Sequence, residues 1–171
     1  HRPRVLVLLS KFDHCLIDLI YRQQVGSLKM DIASIASNHD VGRPWAEGAG
    51  LAYHKLGGRD AKAENEAQLS QIIADENIEL VILARYMQIL TAGFVATHSG
   101  QIINIHHSFL PSFKGAEPYS QAHQRGVKLI GATAHFVTAD LDEGPIITQG
   151  VEPVRHDMSV ADFIDVGRDT E

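Results

Sequence analysis

Asn104 and His106 stand two residues apart at the end of the apolar run Gln101-Ile-Ile-Asn-Ile105. In a strand, that spacing puts both side chains on one face. Ligands of open parallel sheets bind beyond the carboxyl ends of the strands. An Asn amide and an imidazole presented there reach one carbonyl oxygen. Donors aimed at developing negative charge are often the largest catalytic contribution. Taken alone, the pair equally suits two polar residues that close a strand and bond nearby backbone. His107 points to the other face and is expected to be structural. A second segment, Thr138-Ala-Asp-Leu-Asp-Glu-Gly144, gathers three carboxylates in a short connection. Its spacing lacks the ligand pattern of a calcium loop. An acid/base role is the sharper reading, because a carboxylate packed against apolar walls becomes a better proton acceptor. The spacing leaves Asp140, Asp142 and Glu143 open for that role, and a solvated acidic turn is the bland alternative.

Tyr86, Met87, Gln88, Ile89 and Leu90 follow another strand end. Such residues line a slot for a flat aromatic ligand, or they bury under the next helix. Ten histidines raise the question of a metal. However, His14, His39, His54, His98, His123, His135 and His156 are scattered, without cysteine partners or a His-Glu-x-x-His motif;. No metal is expected. Neither a P-loop nor a dinucleotide fingerprint is present. Cys15 lies on an expected helix face and is read as packed and inert.

These residues need elements to hold them. Arg4–Leu9 and Glu79–Ala84 are unbroken apolar runs, the pattern of strands covered on both faces;. Asp31–Ser37, Ala52–Lys55 and Gln101–Ile105 complete the first set of strands. A helix follows the first strand, with Asp13 as N-cap, Leu16, Leu19, Ile20 and Gln23 at helical spacing, and Gly26 as its end. Asn65–Asn77 is amphipathic, with Leu69, Ile72 and Ile73 on one face, and Thr91–His98 is a further helix. Strands alternating with helices imply right-handed crossovers and a mainly parallel sheet. After His106 the pattern changes. Ser108–Pro118 reads as a loop, Tyr119–Arg125 as a short helix, and Leu129–Val137 and Pro145–Val154 as an antiparallel pair. Gly42–Gly50 and Gly57–Asp60 read as surface loops. Gly167–Glu171 reads as the opening of another helix that the chain does not complete.

The 171 residues fit one domain spanning 1–171;. With 44% hydrophobic and 21% charged residues, disordered and membrane classes are excluded;. Fifteen basic against 21 acidic residues give a net charge of −6. That balance speaks against nucleic acid as a partner. A single cysteine permits no internal disulfide and fits a reducing compartment.

The strings Asn104-Ile-His106, Ser108-Phe-Leu-Pro111 and Asp142-Glu-Gly-Pro-Ile-Ile147 together resemble the formyltransferase-fold enzymes of folate metabolism. The resemblance implies an α/β formyltransferase fold: a mostly parallel twisted sheet flanked by helices, with an antiparallel C-terminal strand pair. It implies Asn104, His106 and Asp142 as the catalytic trio. It also implies that Tyr86–Leu90 and the segment Val137, Thr138, Ala139, Asp140 and Leu141 hold the folate. Ser37-Asn-His-Asp40, Leu83–Leu90, Asn104–Gly115 and Arg125–Thr133 carry the likeness further, to the deformylase branch of that family. Members of that branch hydrolyse 10-formyltetrahydrofolate to tetrahydrofolate and formate, with no cofactor. The implied setting is a cytoplasmic homo-oligomer that supplies formate for purine biosynthesis. Ribotide-formylating relatives carry a glycine-rich phosphate loop after the first strand; here that place reads Ser10-Lys-Phe-Asp-His-Cys15, without glycine. Transfer to glycinamide ribonucleotide and a non-catalytic folate-binding module are the alternatives. The branch begins with an ACT-type regulatory domain, which this sequence does not include, and its C-terminal end is expected to be missing too.

Overall fold

The computed structural model describes residues 1–110 and 117–171. Seven strands are hydrogen-bonded in the order β3-β2-β1-β4-β5-β6-β7. They are β1 (Arg4–Leu9), β2 (Asp31–Ser37), β3 (Ala52–Lys55), β4 (Leu80–Ala84), β5 (Ile102–His106), β6 (Leu129–Phe136) and β7 (Ile146–Pro153). The helices are α1 (His14–Gln24), α2 (Arg43–Gly48), α3 (Lys62–Asp75), α4 (Ala92–Thr97), α5 (Pro118–Gln124) and α6 (Val160–Thr170). The chain divides into two compact units, His1–Ile103 and Asn104–Glu171.

In the first unit β1 pairs in parallel with β2 and with β4, and β2 with β3. Val5 to Leu9 are each at most 1% exposed, so β1 is buried on both faces, as its unbroken apolar run requires;. Leu16 of α1 and Leu69 of α3 are buried as well. Asp13 does occupy the N-cap of α1, but its side chain caps nothing. Its carboxylate instead accepts the indole N–H of Trp45 at 2.8 Å. Gly26, at φ +75°, ends the helix;.

Three expectations are corrected. Gly42–Gly50 is not a loop but holds α2, whose proline sits in the first turn, where a missing N–H costs nothing, and whose Ala46 is fully buried;. Six residues are too few for a helical period to show. Gly57–Asp60 runs into a 3-10 turn, Arg59–Ala61, ahead of α3. Gly167–Glu171 does not open a helix; it closes α6. The start of α6 is marked by a capping box in which Ser159 accepts from Asp162 N–H and the Asp162 carboxylate accepts from Ser159 N–H;.

In the second unit β6 and β7 are antiparallel, as the C-terminal strand pair was expected to be. Gly131 stands opposite Val151 in this pair, and a Cβ on it would lie 2.1 Å from the Gly150 carbonyl oxygen. Tyr119, Ala122, Ile130, Val154 and Phe163 form the apolar core beneath. Gly167 permits α6 to approach Tyr119, since a Cβ there would meet the ring at 2.1 Å. The expected loop Ser108–Pro118 is described only at its two ends; Pro111–Ala116, including the Pro-Ser-Phe-Lys-Gly part of the motif, lies outside the described residues.

Candidate active site

The end of β5 delivers Asn104 and His106 from alternate positions of one strand;. His106 is 5% exposed. Its Nδ1 lies 3.6 Å from Asp142 Oδ2. That is just beyond a direct hydrogen bond. A second imidazole completes the cluster: His135 Nε2 lies 3.8 Å from Asp142 Oδ1 and 3.2 Å from Asn104 Nδ2. His135 is 2% exposed, and its Nδ1 donates to the Phe136 carbonyl at 2.9 Å. A carbonyl only accepts, so Nδ1 carries a proton, and the Asn104 Nδ2, which only donates, meets Nε2 as its acceptor;. His135 thereby fixes which way that amide faces.

The turn after β6 places the three carboxylates differently. Phe136 N–H donates to the Pro145 carbonyl at 2.9 Å and closes it. A Cβ on Gly144 would lie 1.7 Å from the Phe136 carbonyl oxygen, so only glycine fits there. Asp142 adopts the left-handed region at φ +56°, which Asp and Asn tolerate better than most residues;. That bend turns its carboxylate inward to 8% exposure. Asp140 and Glu143 stay exposed, and Asp140 contributes its backbone carbonyl, which accepts from Thr138 Oγ1 at 3.1 Å. Val137 and Thr138 are half-buried, whereas Ala139, Asp140 and Leu141 are exposed.

A second layer steadies the chain leaving His106. Thr133 Oγ1 donates to the Ser108 carbonyl at 2.9 Å and accepts from Leu110 N–H at 3.1 Å. Gln149 Nε2 donates to Leu110 O and to Thr133 Oγ1. His107 is buried with its ring against Tyr119. The sequence reading missed His135, Thr133 and Gln149. His135 was passed over among the scattered histidines; its position on the same strand face as Thr133, two residues earlier and just before the acidic turn, was the available signal.

In the first unit, the five residues proposed for a slot divide. Tyr86 is 7% exposed, and burial, followed by the Glu66 charge, pushes its phenol up to about 12. Met87 and Ile89 are exposed at 44% and 62%, and Gln88 and Leu90 are half-buried. Cys15 is buried.

The formyl transferase family profile matches residues 3–171. The chain belongs to the formyl transferase family. It is 48% identical over 171 residues to a formyltetrahydrofolate deformylase of Corynebacterium sp. (strain P-1), covering 99% of this chain and 60% of that protein. The fold matches the crystal structure of a formyltetrahydrofolate deformylase from Pseudomonas syringae pv. tomato with a TM-score of 0.96 and 44% identity, over all of this chain and 58% of that one. It also matches glycinamide ribonucleotide transformylase 1 from Symbiobacterium toebii, with a TM-score of 0.92 and 31% identity, over 99% of this chain and 82% of that one. The chain thus spans about three fifths of the length of the two deformylases it resembles. Among the described residues, no helix is long and apolar enough to cross a membrane.

Proposed function

We propose that this chain is the catalytic part of an enzyme that hydrolyses 10-formyltetrahydrofolate to tetrahydrofolate and formate. The observation that carries the reading is the convergence of the His106 and His135 imidazoles on the buried Asp142 carboxylate, with Asn104 oriented by His135. The formyl carbon sits among Asn104, His106 and Asp142. Water attacks it, and Asp142 takes the water's proton. Asn104, whose second amide N–H is directed by the bond to His135, and His106 donate to the tetrahedral oxyanion. Collapse breaks the bond from carbon to N10; Asp142 passes its proton to that nitrogen, and formic acid leaves, giving its proton to solvent as formate. No nucleophilic side chain, metal or cofactor takes part. Tyr86–Leu90 and Val137–Leu141 hold the folate. The enzyme works as a cytoplasmic homo-oligomer and supplies formate for purine biosynthesis.

Likeness to glycinamide ribonucleotide transformylase favours one rival, transfer of the same formyl group to that ribotide. The glycine-free Ser10–Cys15 segment speaks against it, because it lacks the backbone freedom of a phosphate nest;. The test incubates the full-length protein with 10-formyltetrahydrofolate alone and measures formate. Formate release without an amine supports hydrolysis. Release that waits for glycinamide ribonucleotide, with formyl-ribotide accumulating, refutes it, and folate binding without turnover leaves a non-catalytic binding module.

A further inference from the structure

Ser10 follows β1 directly, a polar residue after five buried apolar ones, and it is itself 2% exposed. A buried hydroxyl needs partners, and this one ties together three segments of the first unit. Ser10 Oγ donates to Asn38 Oδ1 at 2.8 Å, in the segment after β2. The same oxygen accepts the Met87 N–H at 3.1 Å, in the segment after β4. Ser10 N–H donates to the Arg85 carbonyl at 3.1 Å. The bonds at Arg85 and Met87 bracket Tyr86. They hold a strained turn, since Arg85 has φ +65°, a conformation that residues with a side chain rarely adopt;. The Arg85 guanidinium lies 4.9 Å over the Phe12 ring, two residues beyond Ser10, and adds a second hold on the same turn;. Strained, over-determined backbone of this kind marks segments whose shape is used. Immediately after it, Met87 and Ile89 stand exposed beside the buried Tyr86.

We propose that Ser10 is a positioning residue for folate binding: its hydroxyl, held by Asn38, sets the backbone of the Arg85–Leu90 segment so that the segment presents a preformed apolar surface to the flat ring of the folate. The inference rests on the hydrolase reading for the identity of the ligand. The hydroxyl acts through the Met87 amide. Removing it therefore costs binding rather than chemistry.

The test measures tetrahydrofolate binding, formate release and amide exchange on the full-length protein and its Ser10→Ala variant. Expected for Ser10→Ala are a tetrahydrofolate Kd and a KM for 10-formyltetrahydrofolate each raised about tenfold, a kcat within about twofold of the parent, and faster exchange at the Met87 amide. A merely structural role would lower the melting temperature and the active fraction while leaving KM in place. Asn38→Ala removes the acceptor that orients the hydroxyl and should reproduce the KM effect in weaker form; should Ser10→Ala not fold, this variant is read by the same criteria. A parent protein that binds no tetrahydrofolate refutes the hydrolase reading, whereas Met87 exchange still reports on the brace. Unchanged Kd, KM and Met87 exchange in folded variants overturn the proposal.

Discussion

Asp142→Asn isolates the proposed base more cleanly than any other change in this site. Asn has nearly the size of Asp and tolerates the left-handed backbone that φ +56° imposes;. Asp142→Ala would instead add a conformational cost of about 1–2 kcal/mol and confuse folding with catalysis. The amide keeps an oxygen near His106 Nδ1 and His135 Nε2, which stand 3.6 and 3.8 Å from the carboxylate. It loses only the negative charge and the capacity to take a proton. Loss of a general base costs about 10²- to 10⁴-fold in rate, which at about 1.4 kcal/mol per decade is roughly 3 to 5.5 kcal/mol of barrier. Formate release under saturating 10-formyltetrahydrofolate should fall by that factor, while folate affinity and melting temperature stay near the parent values. Asp140→Asn is the control for the rate at saturation, where a folate contact from that segment would show in KM rather than in kcat. Its side chain is exposed, and the turn uses its backbone carbonyl, which the substitution keeps. Near-normal formate release from Asp142→Asn, together with an inactive Asp140→Asn, would refute the reasoning and move the proton acceptor to the neighbouring carboxylate.

His135→Phe keeps the ring volume but cannot accept from Asn104; leaving that amide without its partner should lower kcat about ten- to hundredfold, and an unchanged kcat would remove His135 from the account. Gly144→Ala should destabilise the fold by about 1–3 kcal/mol or more in urea titrations, because its Cβ would lie 1.7 Å from the Phe136 carbonyl oxygen;. Exhaustive chelation should leave formate release intact; activity lost to a chelator and restored by zinc or iron would overturn the metal-free mechanism. Burial pushes the Tyr86 phenol from 10.0 up to about 12, so the folded state retains a proton that the unfolded chain releases. Its contribution to stability is therefore fully present below about 10 and is lost as pH rises through about 12;. Tyr86→Phe should lack that alkaline loss when urea midpoints are compared across the range.

What the sequence disclosed followed from local rules. The buried strands showed as apolar runs because both faces are covered, and β1 and β2 begin and end at the expected residues. α2 stayed hidden because six residues cannot display a period and Gly42 and Pro44 read as breakers, although proline in a first turn favours a helix;. The end of α6 was read as a beginning because its polar last turn, Arg168-Asp-Thr170, resembles a capped start; the true start lies at the Ser159–Asp162 pair. Asn104 and His106 could be placed together because a strand has a period of two. Nothing local could choose between Asp140 and Asp142, which are also two apart. The choice belongs to the turn, where Gly144 lets the chain close onto Phe136 and a left-handed Asp142 swings one carboxylate inward.

His135 illustrates the other limit. Its neighbours in sequence are Ala134 and Phe136, and the one local signal is its place on a strand face just before the acidic turn. Its role arises from contacts across the sheet with Asn104 and across the turn with Asp142, and from its own Nδ1 bond to Phe136. That backbone bond is the decisive part. With a proton on Nδ1, Nε2 can serve as an acceptor, and the Asn104 N–H lies against it at 3.2 Å;. The amide orientation is therefore set through two bonds by the carbonyl of Phe136, the same residue whose N–H closes the turn that delivers Asp142. One residue of backbone thus links the amide proposed as oxyanion donor to the carboxylate proposed as proton acceptor. Changes that open this turn should disturb both groups together, so the losses from His135→Phe and Asp142→Asn should combine to less than their product when the two are joined in one chain. Fully multiplicative losses would show that the two groups act independently.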